Sequence, residues 1–130
     1  MNNNKINSFE DLIVWQKAVN LSVEVYKLSA KFPKEEVFGL TSQIRRASNS
    51  VSLNISEGSV RTTKMFINQL IIANGSAAEV LSAAILANKL NFLAQKDLEH
   101  LRSLIAEVTK ILNSLISSLE RKLKTVNELV

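Results

Sequence analysis

The single histidine, His100, follows Asp97 by three positions, a spacing that puts an imidazole and a carboxylate on one face of a helix. Such a pair can ligate a metal or pass a proton. A carboxylate-bridged di-metal bundle, however, needs Glu-x-x-His on two helices plus two further inward glutamates, and this chain has no second histidine. With Glu99 beside it, His100 reads as a solvated side chain. Cysteine is absent, which removes disulfides, thiolate metal sites and a cysteine nucleophile and suits a reducing compartment. Three scattered glycines form neither a P-loop nor a dinucleotide fingerprint. The expectation is a chain with no catalytic residue, no metal site and no cofactor, one that is not an enzyme.

The other chemistry available is recognition of anions. The net charge is +4, and from Val37 to Ala78 the basic residues are Arg45, Arg46, Arg61 and Lys64 against one acid, Glu57, so the excess is local. The planar fork of arginine donates paired hydrogen bonds to phosphate, and a helix beginning near Lys64 would add free backbone amides. These four residues are the candidates for binding RNA or DNA. Arg61 and Lys64 are the stronger pair, because Arg45 or Arg46 is also the available partner for Glu79, a carboxylate in an apolar stretch that needs a positive neighbour if buried. No aromatic platform accompanies them, and the bland alternative is a solvated basic surface.

These side chains are carried by helices. Three Gly, one Pro and 5% aromatics favour an all-α chain over a sheet with many turns. Ser8 is a candidate N-cap, followed by Leu12, Trp15, Val19, Val23, Tyr26 and Ala30 at steps of three and four, so a first helix is expected to about Lys31 with Trp15 anchoring its buried stripe. Phe32 and Pro33 end it. A second helix is expected from near Lys34 through Leu40, Ile44, Ala47, Val51 and Ile55, with Glu35 and Glu36 at its positive end and Gly58 closing it. Thr62 or Thr63 then caps a third helix, about Lys64 to Asn88.

The third helix is apolar on every side and, between Met65 and Asn88, carries one charge, Glu79. A helix apolar all round has to be covered all round. Asn68, Gln69, Asn74, Ser76, Glu79 and Ser82 interrupt it, which argues against a membrane span. Ile72 and Leu86 are the candidates for a contact with another copy. Asn91 and Phe92 make the last turn, and Leu98, Leu101, Ile105, Val108, Leu112, Leu115 and Leu119 form a coiled-coil-like seam on a fourth helix, flanked by Leu104 and Ile111. Arg121, Lys122 and Lys124 complement that helix's negative end. A frayed tail is expected after Lys124.

Four amphipathic helices with short links close most simply as an antiparallel up-down-up-down four-helix bundle. A chain of 130 residues has room for one such domain, residues 1–130 with an ordered core of about 9–122. Met1 to Ser8 hold one charge and no apolar run, so neither a leader nor an anchor is expected, and the cytoplasm is the expected location.

From Phe9 to about Lys122 the sequence resembles the small four-helix-bundle proteins encoded within intervening sequences of bacterial 23S ribosomal RNA genes. The resemblance rests on Phe9, Asp11, Leu12, Val14, Trp15, Lys17 and Ala18; on Phe32, Pro33 and Glu35; on Gly39, Leu40, Gln43, Arg45, Arg46 and Ala47; on Asn54, Ile55, Glu57, Gly58 and Phe66; and on Ala73, Gly75, Ser76 and Glu79. Ser52 stands where that pattern often has proline, and Ala94 where it commonly has Ser or Asp. The resemblance implies a bundle that assembles into a ring-like homopentamer without known enzymatic activity. Related accessory proteins of diversity-generating retroelements look like the same bundle and bind nucleic acid and a reverse transcriptase, a role not carried over to this chain. The functional expectation is a self-assembling bundle that binds RNA or DNA through a basic face. The alternative is a protein–protein adaptor whose third helix receives a partner chain.

Overall fold

The computed structural model describes residues 8–129 and, of their side chains, those as far as residue 126; expectations that concern Met1 to Asn7 or Val130 lie outside the described residues. Ser8 is a cap, its Oγ accepting from the Glu10 amide at 2.9 Å, but what it caps is a 3-10 turn, Phe9–Asp11. The chain then extends at Leu12, and α1 runs Ile13–Ser29. Its buried face is Val14, Ala18, Leu21, Val25 and Leu28. The expected stripe through Trp15, Val19, Val23 and Tyr26 is thus displaced by one position, about 100° around the helix. Both stripes have steps of three and four. The larger side chains sit on the flank because their ends find partners there: Trp15 is half-buried and meets Phe9 edge-on at 5.0 Å, while the Tyr26 hydroxyl accepts from Asn49 Nδ2 at 2.8 Å.

The second helix begins later than the sequence suggests. Lys34–Glu36 form a separate 3-10 turn and α2 spans Leu40–Ser59. The carboxylate of Glu36 reaches forward and accepts from the Leu40 amide at 3.0 Å, giving the helix a side-chain cap from outside its own first turn. Leu40, Ile44, Ala47, Val51 and Ile55 are buried as expected. Gly58 does not close α2. It lies inside the helix, buried, and a Cβ built there would come within 2.8 Å of Phe66 Cδ1 and 3.1 Å of Gln69 Cβ, so its role is to let two helices approach.

Thr62 caps α3, Thr63–Lys89, by accepting from the Met65 amide. That helix ends in a Schellman motif: Asn91 adopts φ 64°, its amide bonds to the Asn88 carbonyl, and the Phe92 amide bonds to the Ala87 carbonyl at 2.8 Å. Phe92 then packs against Phe32, ring centres 6.1 Å apart. The fourth helix, α4, spans Gln95–Leu129, so the chain past Lys124 continues as helix where fraying was expected. Leu98, Leu101, Ile105, Val108 and Leu112 are its buried seam, and Leu104, Ile111, Leu115 and Leu119 pack half-buried beside it.

The described residues are all-α, with no strand. One hydrophobic core joins the four helices: α2 packs on α1 and α3, and α4 on α1 and α3. Polar pairs tie the helices at defined levels, Arg45 to Ser29 and Asn49 to Tyr26 between α1 and α2, Ser50 to Ser76 and Glu57 to Gln69 between α2 and α3, Lys17 to Glu107 and Glu24 to His100 between α1 and α4. By length and composition α3 alone among the described helices could cross a membrane, a length the interrupting polar residues did not remove. In the bundle its Leu70, Ala73, Ala77, Val80, Ala84 and Ala87 are fully covered, so it serves as the core helix.

Candidate functional site

The four basic residues singled out in the sequence sit in four different environments. Arg45 is tied down on α1: Nε donates to the buried Ser29 Oγ at 2.8 Å, one terminal nitrogen lies 3.3 Å from the Tyr26 carbonyl, and the guanidinium stacks 4.6 Å from the Tyr26 ring centre. It fastens α1 to α2, and a residue so engaged has few donors left for a phosphate. Arg61 bonds Glu57 at 3.0 Å, and the other oxygen of that carboxylate accepts from Gln69 Nε2 at 2.6 Å, so the loop cation and the acid form one local network. Lys64 is exposed in the first turn of α3, and Arg46 is exposed on the outer side of α2; among the described residues neither makes an ion pair. Arg46 lies in the second turn of α2, Leu40–Ser59, and Arg61 in the loop past its far end, so roughly 20 Å of helix separates their levels. The quartet is therefore not one patch.

What the fold does bring together is an apolar face. A groove of about 580 Å³ runs along α2 and α3, lined by Glu36, Phe38, Gln43, Arg46, Glu79 and Leu86 among others. Phe38 is 95% exposed, so it contributes almost nothing to the core. On α3, Ile72 and Leu86, the two positions expected to meet another copy, are 52% and 50% exposed, and Leu90 continues their row one turn past Leu86. Leu53, exposed on α2, lies three positions from groove-side Ser50 and extends the same face downward. Phe38, Leu53 and Leu90 were missed in the sequence. Leu90 has a readable signal, the i+4 step from Leu86, whereas Phe38 lies in a turn where periodicity says nothing.

Gly75 stands in the middle of this stretch. In contrast to Gly58, a Cβ built on Gly75 would meet no atom within 4 Å. A glycine inside a long helix costs about 1 kcal/mol relative to alanine, and the fold of the single chain does not require it.

Among the described residues neither Arg45 nor Arg46, the partners expected for Glu79, pairs with it. Glu79 is exposed, lines the groove with Arg46, and among the described residues makes no ion pair or hydrogen bond. His100 Nε2 lies 3.3 Å from Glu24 Oε1 on α1 and half exposed, instead of pairing with Asp97. Among the described residues no group of three or more His, Asp or Glu side chains converges as a metal would require.

Residues 10–114 match the model of a family described as 23S rRNA-intervening sequence protein. Among solved structures, the chain is similar to a protein of unknown function from the S23 ribosomal protein family of Bacteroides thetaiotaomicron, 26% identical, with TM-score 0.75 over 83% of this chain and 98% of that one. No curated protein matches.

Proposed function

Since the chain belongs to the 23S rRNA-intervening sequence protein family, we propose that it is a non-enzymatic, self-assembling, antiparallel up-down-up-down bundle of the cytoplasm that joins further copies of itself through the α2–α3 face. The observation that carries this reading is the row of exposed apolar side chains on that face, Phe38, Leu53, Ile72, Leu86 and Leu90, beside a glycine that the single chain leaves unfilled. Rows of this kind mark interaction sites on soluble proteins. A homopentameric ring is the assembly we propose. Ile72→Asp or Leu86→Asp would bury an unpaired carboxylate in the contact, and either should split the assembly while leaving helical content unchanged. An unchanged native mass for both variants would exclude this face.

A second reading adds RNA or DNA at one end of the bundle. Asn74 Nδ2 donates to Asn113 Oδ1 at 2.7 Å, so with α3 and α4 antiparallel, eleven steps along each helix bring Thr63 level with Lys124. Lys64 thereby comes to the same end as Arg121, Lys122 and Lys124, all exposed. Their charge supports the reading more than the original quartet does, since Arg45 and Arg61 are already engaged. Binding of this type weakens steeply with salt. Retardation of RNA or DNA at low salt that is lost in Lys64→Glu/Lys124→Glu supports it, and no retardation at low salt returns the basic end to a solvated surface and favours a protein adaptor.

A further inference from the structure

The α2–α3 groove contains one cation, Arg46, and two carboxylates, of which Glu36 accepts from the Leu40 amide and Glu79 has no partner among the described residues. Arg46 and Glu79 line the same groove, are both exposed, and among the described residues have no ion pair or hydrogen bond. They are not far apart in level: the Ser50–Ser76 hydrogen bond, 2.8 Å, clamps the two helices four positions from Arg46 and three from Glu79. Some other surface charges are paired, Lys17 with Glu107, Lys27 with Glu24, Arg61 with Glu57 and Arg102 with Glu99, and others such as Lys64 are not; what sets Arg46 and Glu79 apart is that both line one groove with exposed apolar side chains. Around the unpaired charges stand Phe38, Leu86 and Leu90, exposed apolar side chains that would expel water once the face is covered. Covering it with a surface that lacks matching charges would strand both groups. An occupant must therefore present a carboxylate and a cation among apolar side chains, and further copies of this chain present both, Glu79 toward one neighbour and Arg46 toward the other.

Resting on the reading that this face joins copies, we propose that Arg46 of one copy pairs with Glu79 of the next, and that this crossed pair fixes the register of the contact. Charge complementarity of this kind selects partner and register more than it adds affinity. The experiment measures native mass by light scattering for the wild type, Arg46→Glu, Glu79→Arg, the double exchange, and an equimolar mixture of the two single variants. Each single variant should associate at least tenfold more weakly than the wild type, the double exchange should regain the wild-type mass, and the mixture, whose two variants match at every contact between unlike copies, should form larger species than either variant alone. Single variants that assemble like the wild type overturn the pair, as does a double exchange that recovers while the mixture is no larger than either single variant, which would assign the contact to one chain. A wild type that is monomeric overturns the assembly reading beneath it, a result distinct from the others.

Discussion

Two glycines separate what the chain needs for itself from what it offers to others. At Gly58 an added Cβ meets Phe66 and Gln69 at 2.8 and 3.1 Å, so Gly58→Ala should push α2 and α3 apart and cost about 1–3 kcal/mol, read as a lower midpoint of chemical denaturation. At Gly75 the same substitution meets nothing, and in the dissociated chain Gly75→Ala should be neutral or stabilising by up to about 1 kcal/mol while weakening association. A loss of stability at Gly75 in dilute, monomeric protein would mean that the face is closed within the chain. Trp15 gives a smaller effect than a core ring. Half-buried against Phe9, it should cost about 2 kcal/mol on replacement by alanine, below the range for fully buried aromatics.

Helix α1 shows how two apolar stripes compete for one core. Leu21 is fully buried and Val23 is 46% exposed, so Leu21→Ala should cost about 2–5 kcal/mol and Val23→Ala within about 0.5 kcal/mol, measured by urea denaturation. Equal losses at both positions would contradict the assigned face. The sequence makes the four helices legible because α2, α3 and α4 each have one dominant pattern: Leu40 to Ile55, the all-round apolar run, and Leu98 to Leu112. It misplaces α1 because Val14–Leu28 and Trp15–Tyr26 have the same period, and size alone favours the aromatic row. The start of α2 was hidden for a different reason. Glu36 looks like a first-turn acid but caps from outside the helix, and only the backbone at Gly39 reveals the break. The candidate interface was half legible: Ile72 and Leu86 follow from the apolar circumference of α3, but the fate of Arg45 depends on Ser29, sixteen positions away, whereas the pairing of Arg61 with Glu57 spans only four.

At the scale of the whole molecule, the bundle has a covered core and an uncovered α2–α3 face, and the nucleic-acid site proposed above draws on the exposed cations Lys64, Arg121, Lys122 and Lys124. Lys64 and the cations of α4 are thus apart from the apolar row, and assembly and polyanion binding can be lost separately. Lys64→Glu/Lys124→Glu should leave native mass unaltered, whereas Leu86→Asp should reduce it without altering the circular dichroism of the helices. Assembly through the outer face of α3 is decided by the native mass of the wild-type protein, measured by light scattering at micromolar concentration. The expected mass is several times the 14.4 kDa of one chain, five times for the proposed ring. A single species at 14.4 kDa across the concentration range would contradict it.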